Sequence, residues 1–515
     1  METSPGWSAV KQDRKGWVPL LAVGFGVVLL VLLWLGAEGL AGRVALRRYE
    51  AALERARSAR TEAREGLATS PEEDGAPAAW EALAQLGAPP WSVRRANQRA
   101  HSGGVLVTWR LSEWYRRRPD PPEGWERVEA SEYWKEVAAS LAERRAALEA
   151  LVAALQKRRF SSDVDPKKTT EARRYFQTGC ASRWLRAATL LALREGRRED
   201  ASRFLEALIR TPLLLVEDAV LGSDIVRRIA GVIAWETTWE ALQLDGWSDD
   251  DLARWQRAWE SNCWLGPMIA AMENEKFQIF AEWDRMRHSG PSDVIGAMEP
   301  LVEDPPDWLD PVVYHPAVKG LDATLWLYVW SYGEQSRLLR FLEDCTALLR
   351  DAEKHRNGLR LRSELEAVSE RFNPRSLYER LHNRFSDYRS GYQREALEAM
   401  EWETDRSLVL AALALERYRL RYGVYPGRLE ELVPEFLREV PTDFMDGKPI
   451  RYHRRPDGSF VLYSVGWDGL DGGGDPSIPP GSKLPLRWEW PDVDWPRPAT
   501  EAEVEAYWRE LLKRP

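Results

Sequence analysis

The chain opens with one long apolar run and then changes to patterns of helical period. Between Lys15 and Glu38 no residue carries a charge, and the run is rich in Leu and Val with a Trp near each end. An α-helix needs about 20 apolar residues to cross the roughly 30 Å hydrocarbon core of a bilayer. The run therefore predicts a transmembrane helix over residues 16–38, after an N-terminal tail of residues 1–15. A cleaved signal peptide is the alternative, although the apolar core of such peptides is usually only about 7–15 residues long.

The charges that flank this run are balanced. A bias of Lys and Arg between the two flanks sets the orientation of a membrane helix, but a long domain is translocated largely regardless of it. We expect a single-pass protein of the inner (cytoplasmic) membrane, with its C-terminal domains on the periplasmic or exterior side. The nearest basic residues are Lys11, Arg14 and Lys15 before the run and Arg43, Arg47 and Arg48 after it.

Residues 43–303 show apolar positions at helical spacing with few breakers. Apolar side chains recur three, four and seven residues apart over 131–158, which places them on one face of a helix. Residues 171–194 form a second strong helical pattern, which Gly196 is expected to end. Ser248, followed by three Asp residues, predicts the start of another helix. The pattern predicts a large helical domain over 43–303, made of a stalk and helical hairpins.

A Pro-rich stretch at residues 304–316 predicts a break, after which we expect a second helical lobe over 317–403. In the first domain, Thr211-Pro212 is expected to open a further helix because Pro is tolerated in the first turn. Residues Leu190–Glu206 read helix–Gly–helix and resemble one tetratricopeptide-like hairpin. No period of about 34 residues recurs, so a solenoid and an irregular helical domain both remain open.

The composition narrows the function without naming a reaction. Asp and Glu outnumber Lys and Arg by 81 to 72, for a net charge of −9, which gives no support to nucleic acid as a partner. The three cysteines cannot form a disulfide framework, and no Cys-x-x-Cys, His-Glu-x-x-His, P-loop or Gly-x-Ser-x-Gly motif is present. The 26 tryptophans favour aromatic seams between helices. The sequence therefore points to no catalytic or cofactor-binding residues.

Residues 405–476 follow a different pattern. A helix rich in Ala and Leu leads into a short helical turn over 428–433, and two segments, 449–452 and 460–464, alternate as strands do. Pro456-Asp457-Gly458 between them is typical of a hairpin turn. The pattern predicts a small α+β domain at the end of a mainly α chain. Its expected core consists of Leu413, Tyr418, Leu432, Tyr452, Leu462 and Tyr463.

Four segments of this domain occur in the order found in a known family. They read ALERYRLRYGVYP, LEELVPEFL, VPTDFMDGKPIRY and FVLYSVGWDGLDGGGD. On these motifs, residues 405–476 resemble the C-terminal globular domain of the type II secretion major pseudopilins (G-type subunits). The resemblance implies a calcium-binding loop after the last strands and an association with a type II secretion-like apparatus. In the family the membrane helix runs straight into this domain, whereas here the helical body lies between them.

The loop from Val465 to Asp475 is the candidate metal site. Calcium takes six to eight oxygen ligands, and closely spaced Asp residues separated by Gly let a short loop wrap around the ion. The sequence predicts one structural calcium ion held by Asp468, Asp471 and Asp475 together with backbone carbonyls. The spacing does not fit an EF-hand, and a solvated acidic turn is the alternative.

Residues 477–515 form a tail rich in Pro and Trp, with a terminal helix expected at about residues 500–513. The features together predict a membrane-anchored, non-enzymatic interaction or scaffold protein of the bacterial cell envelope. Its expected partners are the membrane, through the N-terminal helix, and other proteins. The alternative is an envelope hydrolase with a carboxylate site between helical lobes.

Overall fold

The computed structural model describes residues 17–65, 73–90, 92–93, 131–161, 170–291, 294, 315–376, 379, 387–474 and 492–496. The chain divides into two compact units. The first takes in residues 1–64, 276–341 and 372–388, and the second takes in residues 65–275, 342–371 and 389–515. The helix predicted at about 500–513 lies outside the described residues.

The first helix, α1 (Trp17–Glu65), joins the predicted membrane span and the predicted stalk without a break. Its segment Val27–Ala51 is long and apolar enough to cross a membrane, and only 11% of an apolar 18-residue stretch within it is buried. The side chains of Phe25 and of residues 27–34 are exposed. The prediction of a mainly helical chain with one long apolar helix near its N-terminus is confirmed at this level.

The helices that follow agree in part with the sequence patterns. The helix predicted over 171–194 has those bounds, whereas the stripe over 131–158 is divided at Arg144 into two helices. Thr211-Pro212 opens only a 3₁₀ turn, Thr211–Leu215, before the next α-helix. These helices are α2 (Ala76–Leu86), α3 (Ser131–Glu143), α4 (Arg145–Leu155), α5 (Glu171–Arg194), α6 (Arg198–Arg210), α7 (Leu221–Leu242), α8 (Asp249–Glu260) and α9 (Leu265–His288).

Two predicted helix ends have the geometry expected of them. Gly196 has φ +73°, and the N–H of Arg197 donates to the carbonyl of Ala192 at 2.9 Å, which closes the end of α5. At the start of α8, the side chain of Ser248 accepts from the N–H of Asp251, and the Asp251 side chain accepts from the N–H of Ser248. This reciprocal pair satisfies two backbone donors that the helix itself leaves unpaired.

The later helices run past a predicted domain boundary. The helix that was expected to start the C-terminal domain at residue 405 begins at Asp387 and continues to Tyr422. A π-helical turn, Trp326–Trp330, lies between the helices Pro316–Leu325 and Ser331–His355. These helices are α10 (Pro316–Leu325), α11 (Ser331–His355), α12 (Gly358–Phe372) and α13 (Asp387–Tyr422).

The end of the chain contains a small antiparallel sheet. Strands β1 (Arg451–Arg454) and β2 (Phe460–Ser464) form the predicted hairpin, in which Tyr452 pairs with Leu462. Gly458, at φ +85°, supplies the left-handed residue of the turn. A third strand, β3 (Val493–Asp494), pairs with β2 and comes from the tail, where no strand was predicted. Of the expected core, Leu413, Leu432, Leu462 and Tyr463 are buried, and Tyr418 and Tyr452 are partly buried against it.

The described part of the tail ties the sheet to the helices of the second unit. The N–H of Trp495 donates to the carbonyl of Leu462 at 2.7 Å, and its ring meets the ring of Trp235 edge-on at 5.2 Å. The indole N–H of Trp239 donates to the carbonyl of Pro496 at 2.8 Å. Tryptophan side chains therefore join α7, the hairpin and the tail in one core, as the aromatic composition suggested.

Candidate functional site

The glycine-rich loop after β2 is held at its base by one buried carboxylate. Asp443 is fully buried, and its Oδ1 accepts from the hydroxyl of Ser464 at 2.8 Å. Its Oδ2 accepts from the N–H of Val465 at 3.0 Å and from the guanidinium of Arg451 at 2.8 Å. Burial raises the pKa of Asp443, while these donors act in the opposite direction. The loop therefore leaves the sheet from a fixed point.

The start of α12 supports the same region. The N–H groups of Gly358 and Leu359 donate to the carbonyls of Phe444 and Met445 at 2.7 and 3.0 Å. These helix-terminal donors have no partner within the helix. Gly469, with φ +69°, lies so close that an added Cβ would be 2.7 Å from a methyl of Leu359. A glycine is required there by both the backbone angle and the space.

Two of the predicted calcium ligands are described, and both are exposed. Asp468 Oδ1 accepts from the N–H of Leu470 at 2.9 Å. Asp471 Oδ1 accepts from the hydroxyl of Tyr463 at 2.7 Å and from the N–H of Gly473 at 3.2 Å. The Tyr463 hydrogen bond lowers the pKa of Asp471. The third predicted ligand, Asp475, lies outside the described residues.

Asp492 is the carboxylate that sequence reasoning did not assign to this loop. It is fully buried, and it accepts from the N–H of Gly472 at 3.3 Å and from the N–H of Gly474 at 2.8 Å. An added Cβ on Gly472 would be 2.6 Å from Asp492 Oδ2. The loop thus wraps closely around a carboxylate supplied by the tail. The feature of the sequence that could have indicated Asp492 is the short Asp-Val-Asp-Trp pattern at 492–495.

The described part of the loop contains two of the three residues that the sequence predicts as calcium ligands. Among the described residues, no group of three or more Asp, Glu, His or Cys side chains is placed to hold a metal ion. Asp468 and Asp471 supply two exposed carboxylates, each with one oxygen engaged in a local hydrogen bond. The described residues therefore provide two of the three carboxylates that the sequence predicts.

The indole of Trp467 connects this loop to an acidic face of α13. Its N–H donates to Glu401 Oε1 at 2.6 Å. Burial is the main cause that raises the pKa of Glu401 to about 7, and the negative charges of Glu398 and Asp405 add to it. Arg228 of α7 acts in the opposite direction. Glu401 is therefore poised to change its charge near neutral pH.

A second acidic cluster lies close by, and its charges are paired. Arg228 forms ion pairs with Asp224 on its own helix and with Glu395 and Glu398 on α13. Also on α13, Glu403 Oε1 accepts from the N–H of Trp264 at 2.6 Å at the start of α9. Buried charges need such partners because removal from water is costly. These carboxylates therefore serve to link neighbouring helices.

A cleft of about 300 Å³ lies between the end of α7, α13, the hairpin and the tail. Asp245 and Glu416 are its acidic lining residues. Glu416 Oε1 accepts from the hydroxyl of Tyr425 at 2.5 Å. Arg419 donates to the other oxygen of Glu416 at 2.9 Å. Burial raises the pKa of Glu416. The rings of Phe460 and Trp495 form part of the wall.

No family model, curated protein or solved structure matches the chain.

Proposed function

We propose that the protein is a membrane-anchored, non-enzymatic interaction or scaffold protein of the bacterial cell envelope. The observation that carries the proposal is the surface of α1. Its side chains at Phe25, Leu30 and Leu33 are exposed by 72%, 67% and 62%, and 11% of an apolar 18-residue stretch within Val27–Ala51 is buried. Burying one such side chain away from water is worth about 1.5–3 kcal/mol. A helix with this many exposed apolar side chains is far more stable in lipid than in water.

Fractionation of membranes tests the anchor. Replacing Leu30 and Val31 by Asp places two charges in the middle of the predicted span, where each costs about 2.5–3.5 kcal/mol. The wild type is expected to stay in the membrane pellet after high salt and carbonate, and the double variant is expected to move to the supernatant. The matched control replaces Leu420 and Val424, two exposed apolar residues of the second unit, by Asp. A double variant that pellets as the wild type does would contradict the anchor.

We also propose that the chain crosses the inner membrane once and that the part after α1 lies on the periplasmic or exterior side. Cys263 is exposed, whereas Cys180 and Cys345 are buried. A membrane-impermeant maleimide is therefore expected to label Cys263 in spheroplasts without lysis, and Cys263→Ser is expected to abolish the labelling. Labelling only after lysis would place this part in the cytoplasm.

The scaffold role requires protein partners. Purification of the full-length protein from mild detergent extracts of membranes is expected to retain a partner in fixed ratio, and the Leu30/Val31 double variant is expected to lose it. A type II secretion-like component is the partner that the pseudopilin resemblance suggests, and the sequence motifs alone support this identity. Recovery of the chain without any partner would contradict the scaffold role.

Calcium binding by the loop after β2 is part of the proposal and rests on the spacing of Asp468, Asp471 and Asp475. The carboxylates of Asp468 and Asp471 are exposed at the loop surface. An ion bound there would be structural, because it would fix the loop that follows the strands. Calcium is expected to raise the melting temperature of the full-length protein, and Asp468→Asn or Asp471→Asn is expected to reduce the increase. Asp457→Asn, in the exposed hairpin turn, is the matched control. A melting temperature that calcium does not change would identify the loop as a plain acidic turn.

A further inference from the structure

In the first unit, α1 runs alongside the helical segment made of α10, the π turn Trp326–Trp330 and the start of α11. The two run in the same direction. An added Cβ on Gly39 would be 3.5 Å from the carbonyl oxygen of Tyr328, and one on Gly42 would be 2.8 Å from the backbone nitrogen of Gly333. Further along, the hydroxyl of Tyr49 donates to the carbonyl of Leu339 at 3.1 Å. Contact is thus kept over ten residues of α1, about 15 Å of helix. Two helices that stay in contact over this length are close to parallel.

The residues before Tyr328 therefore extend toward the apolar end of α1. The backbone stays helical from Pro316 through the π turn into α11, since Leu325, Trp326 and Ser331 at the joints all have right-handed helical angles. Leu321 precedes Tyr328 by seven residues, or about 10 Å along a helix. Because Tyr328 lies level with Gly39, Leu321 lies level with the later part of the predicted membrane span.

Apolar side chains are exposed on both helices along this contact. Leu321 and Tyr328 are exposed by 61% and 57%, and on α1 Leu40 and Val44 are exposed by 65% and 43%. They continue the exposed apolar surface of the predicted span. Exposed apolar side chains grouped in one part of a molecule mark a binding site for a membrane or a protein. Continuity with the membrane helix favours the membrane.

The chemistry of the neighbouring residues also fits a membrane boundary. Tyr is enriched where a bilayer meets water, because its ring is apolar and its hydroxyl is polar. Arg43, Arg47 and Arg48 follow on α1 at exposed positions. Long basic side chains near the end of a membrane helix extend their charged groups into the lipid headgroup layer. The order along α1 is thus an apolar span, a level with exposed Leu and Tyr, and then basic residues.

We propose that the exposed side chains of Leu321 and Tyr328 form a second membrane contact beside α1, in which both lie in the interfacial layer of the bilayer. This contact rests on the proposed anchoring by α1. It fixes the height and rotation of the first unit at the membrane surface, which a single helix does not do alone. The occupant of this surface is lipid and not a protein subunit.

Quenching of a fluorescent label by lipid tests this contact. The full-length protein carries Cys263→Ser, so that an introduced cysteine is the exposed thiol among the described residues. A bimane label is attached at Leu321→Cys or Tyr328→Cys, and the protein is reconstituted into vesicles of phosphatidylethanolamine and phosphatidylglycerol. Phe176→Cys, an apolar position of the second unit that is 60% exposed, is the matched control, and Leu30→Cys reports on α1 itself.

Lipid with a nitroxide near its headgroup is expected to quench most of the emission from positions 321 and 328, and lipid with a nitroxide on its acyl chain is expected to quench position 30. Aqueous iodide is expected to quench little at any of these three positions. At position 176, iodide is expected to quench most of the emission and lipid to quench little of it. Quenching by lipid at position 30 but not at 321 and 328 would overturn the second contact and leave the anchor intact. Absence of lipid quenching at all three positions would overturn the anchor as well. Protection of 321 and 328 from both quenchers would show that protein covers this surface, and would also overturn the proposal.

Discussion

At the scale of single residues, Glu401 contacts the loop after β2 and makes the stability of the folded protein depend on pH. Its carboxyl accepts from the indole of Trp467, and its pKa is raised from 4.5 to about 7. The folded protein therefore binds this proton more tightly than the unfolded chain does. The stability that protonation contributes is complete below about pH 4.5 and is lost as the pH rises through about 7. The groups that face Glu401 are Glu398, Asp405 and Arg228 together with Trp467.

Glu401→Gln tests this coupling, because the amide is neutral at every pH and still accepts from Trp467. From pH 5 to pH 8 the wild type is expected to lose stability relative to the variant, by at most about 3 kcal/mol for a shift of this size. The measurement is the urea midpoint of both proteins as a function of pH. Two curves that run parallel over this range would show that Glu401 does not titrate there.

At the scale of elements, buried ion pairs join α7 to α13, and an exposed pair with one of the same glutamates lies within α13. The side chain of Arg228 is 6% exposed and reaches Glu395 and Glu398 across the two helices. The side chain of Arg394 pairs with the same Glu398 from within α13, but it is 75% exposed. Removing one partner of a buried pair leaves an uncompensated charge, whereas an exposed pair contributes little.

Arg228→Met is therefore expected to lower the free energy of unfolding by about 3–5 kcal/mol. Arg394→Met, which breaks an ion pair with the same glutamate, is expected to lower it by less than about 1 kcal/mol. Urea unfolding of both variants, followed by circular dichroism, measures the two changes. Equal effects would mean that burial does not set the strength of these pairs.

Local chemistry determined which elements the sequence could predict. The bounds of α5, the caps at Gly196 and Ser248 and the hairpin over 451–464 depend on neighbouring residues, so the pattern predicts them. Contacts between distant residues have no such pattern. Asp492 holds a loop some twenty residues earlier, β3 is only two residues long, and the acidic partners of Arg228 lie far along the chain. The packing of α1 against residues 328–339 was missed for the same reason.

At the scale of the whole molecule, the account depends on the surroundings of α1. The apolar run predicted a membrane helix, and the structure extends it into one helix of 49 residues with an exposed apolar surface. Anchoring, the side of the membrane and the second contact at Leu321 and Tyr328 all depend on lipid around this helix. If α1 were buried against another protein, or if the apolar run were removed as a signal peptide, none of these three proposals would hold.

Photo-crosslinking at Leu30 measures the surroundings of α1 most directly. A diazirine amino acid at this position, activated in intact membranes, is expected to form adducts with phospholipid, which mass spectrometry of the peptide detects. The same amino acid at Leu415, which is fully buried in the second unit, is expected to form none. Phospholipid adducts at position 30 and not at 415 are the result that membrane anchoring predicts. Adducts at position 30 with protein or water alone, or a mature chain that lacks residue 30, would contradict it.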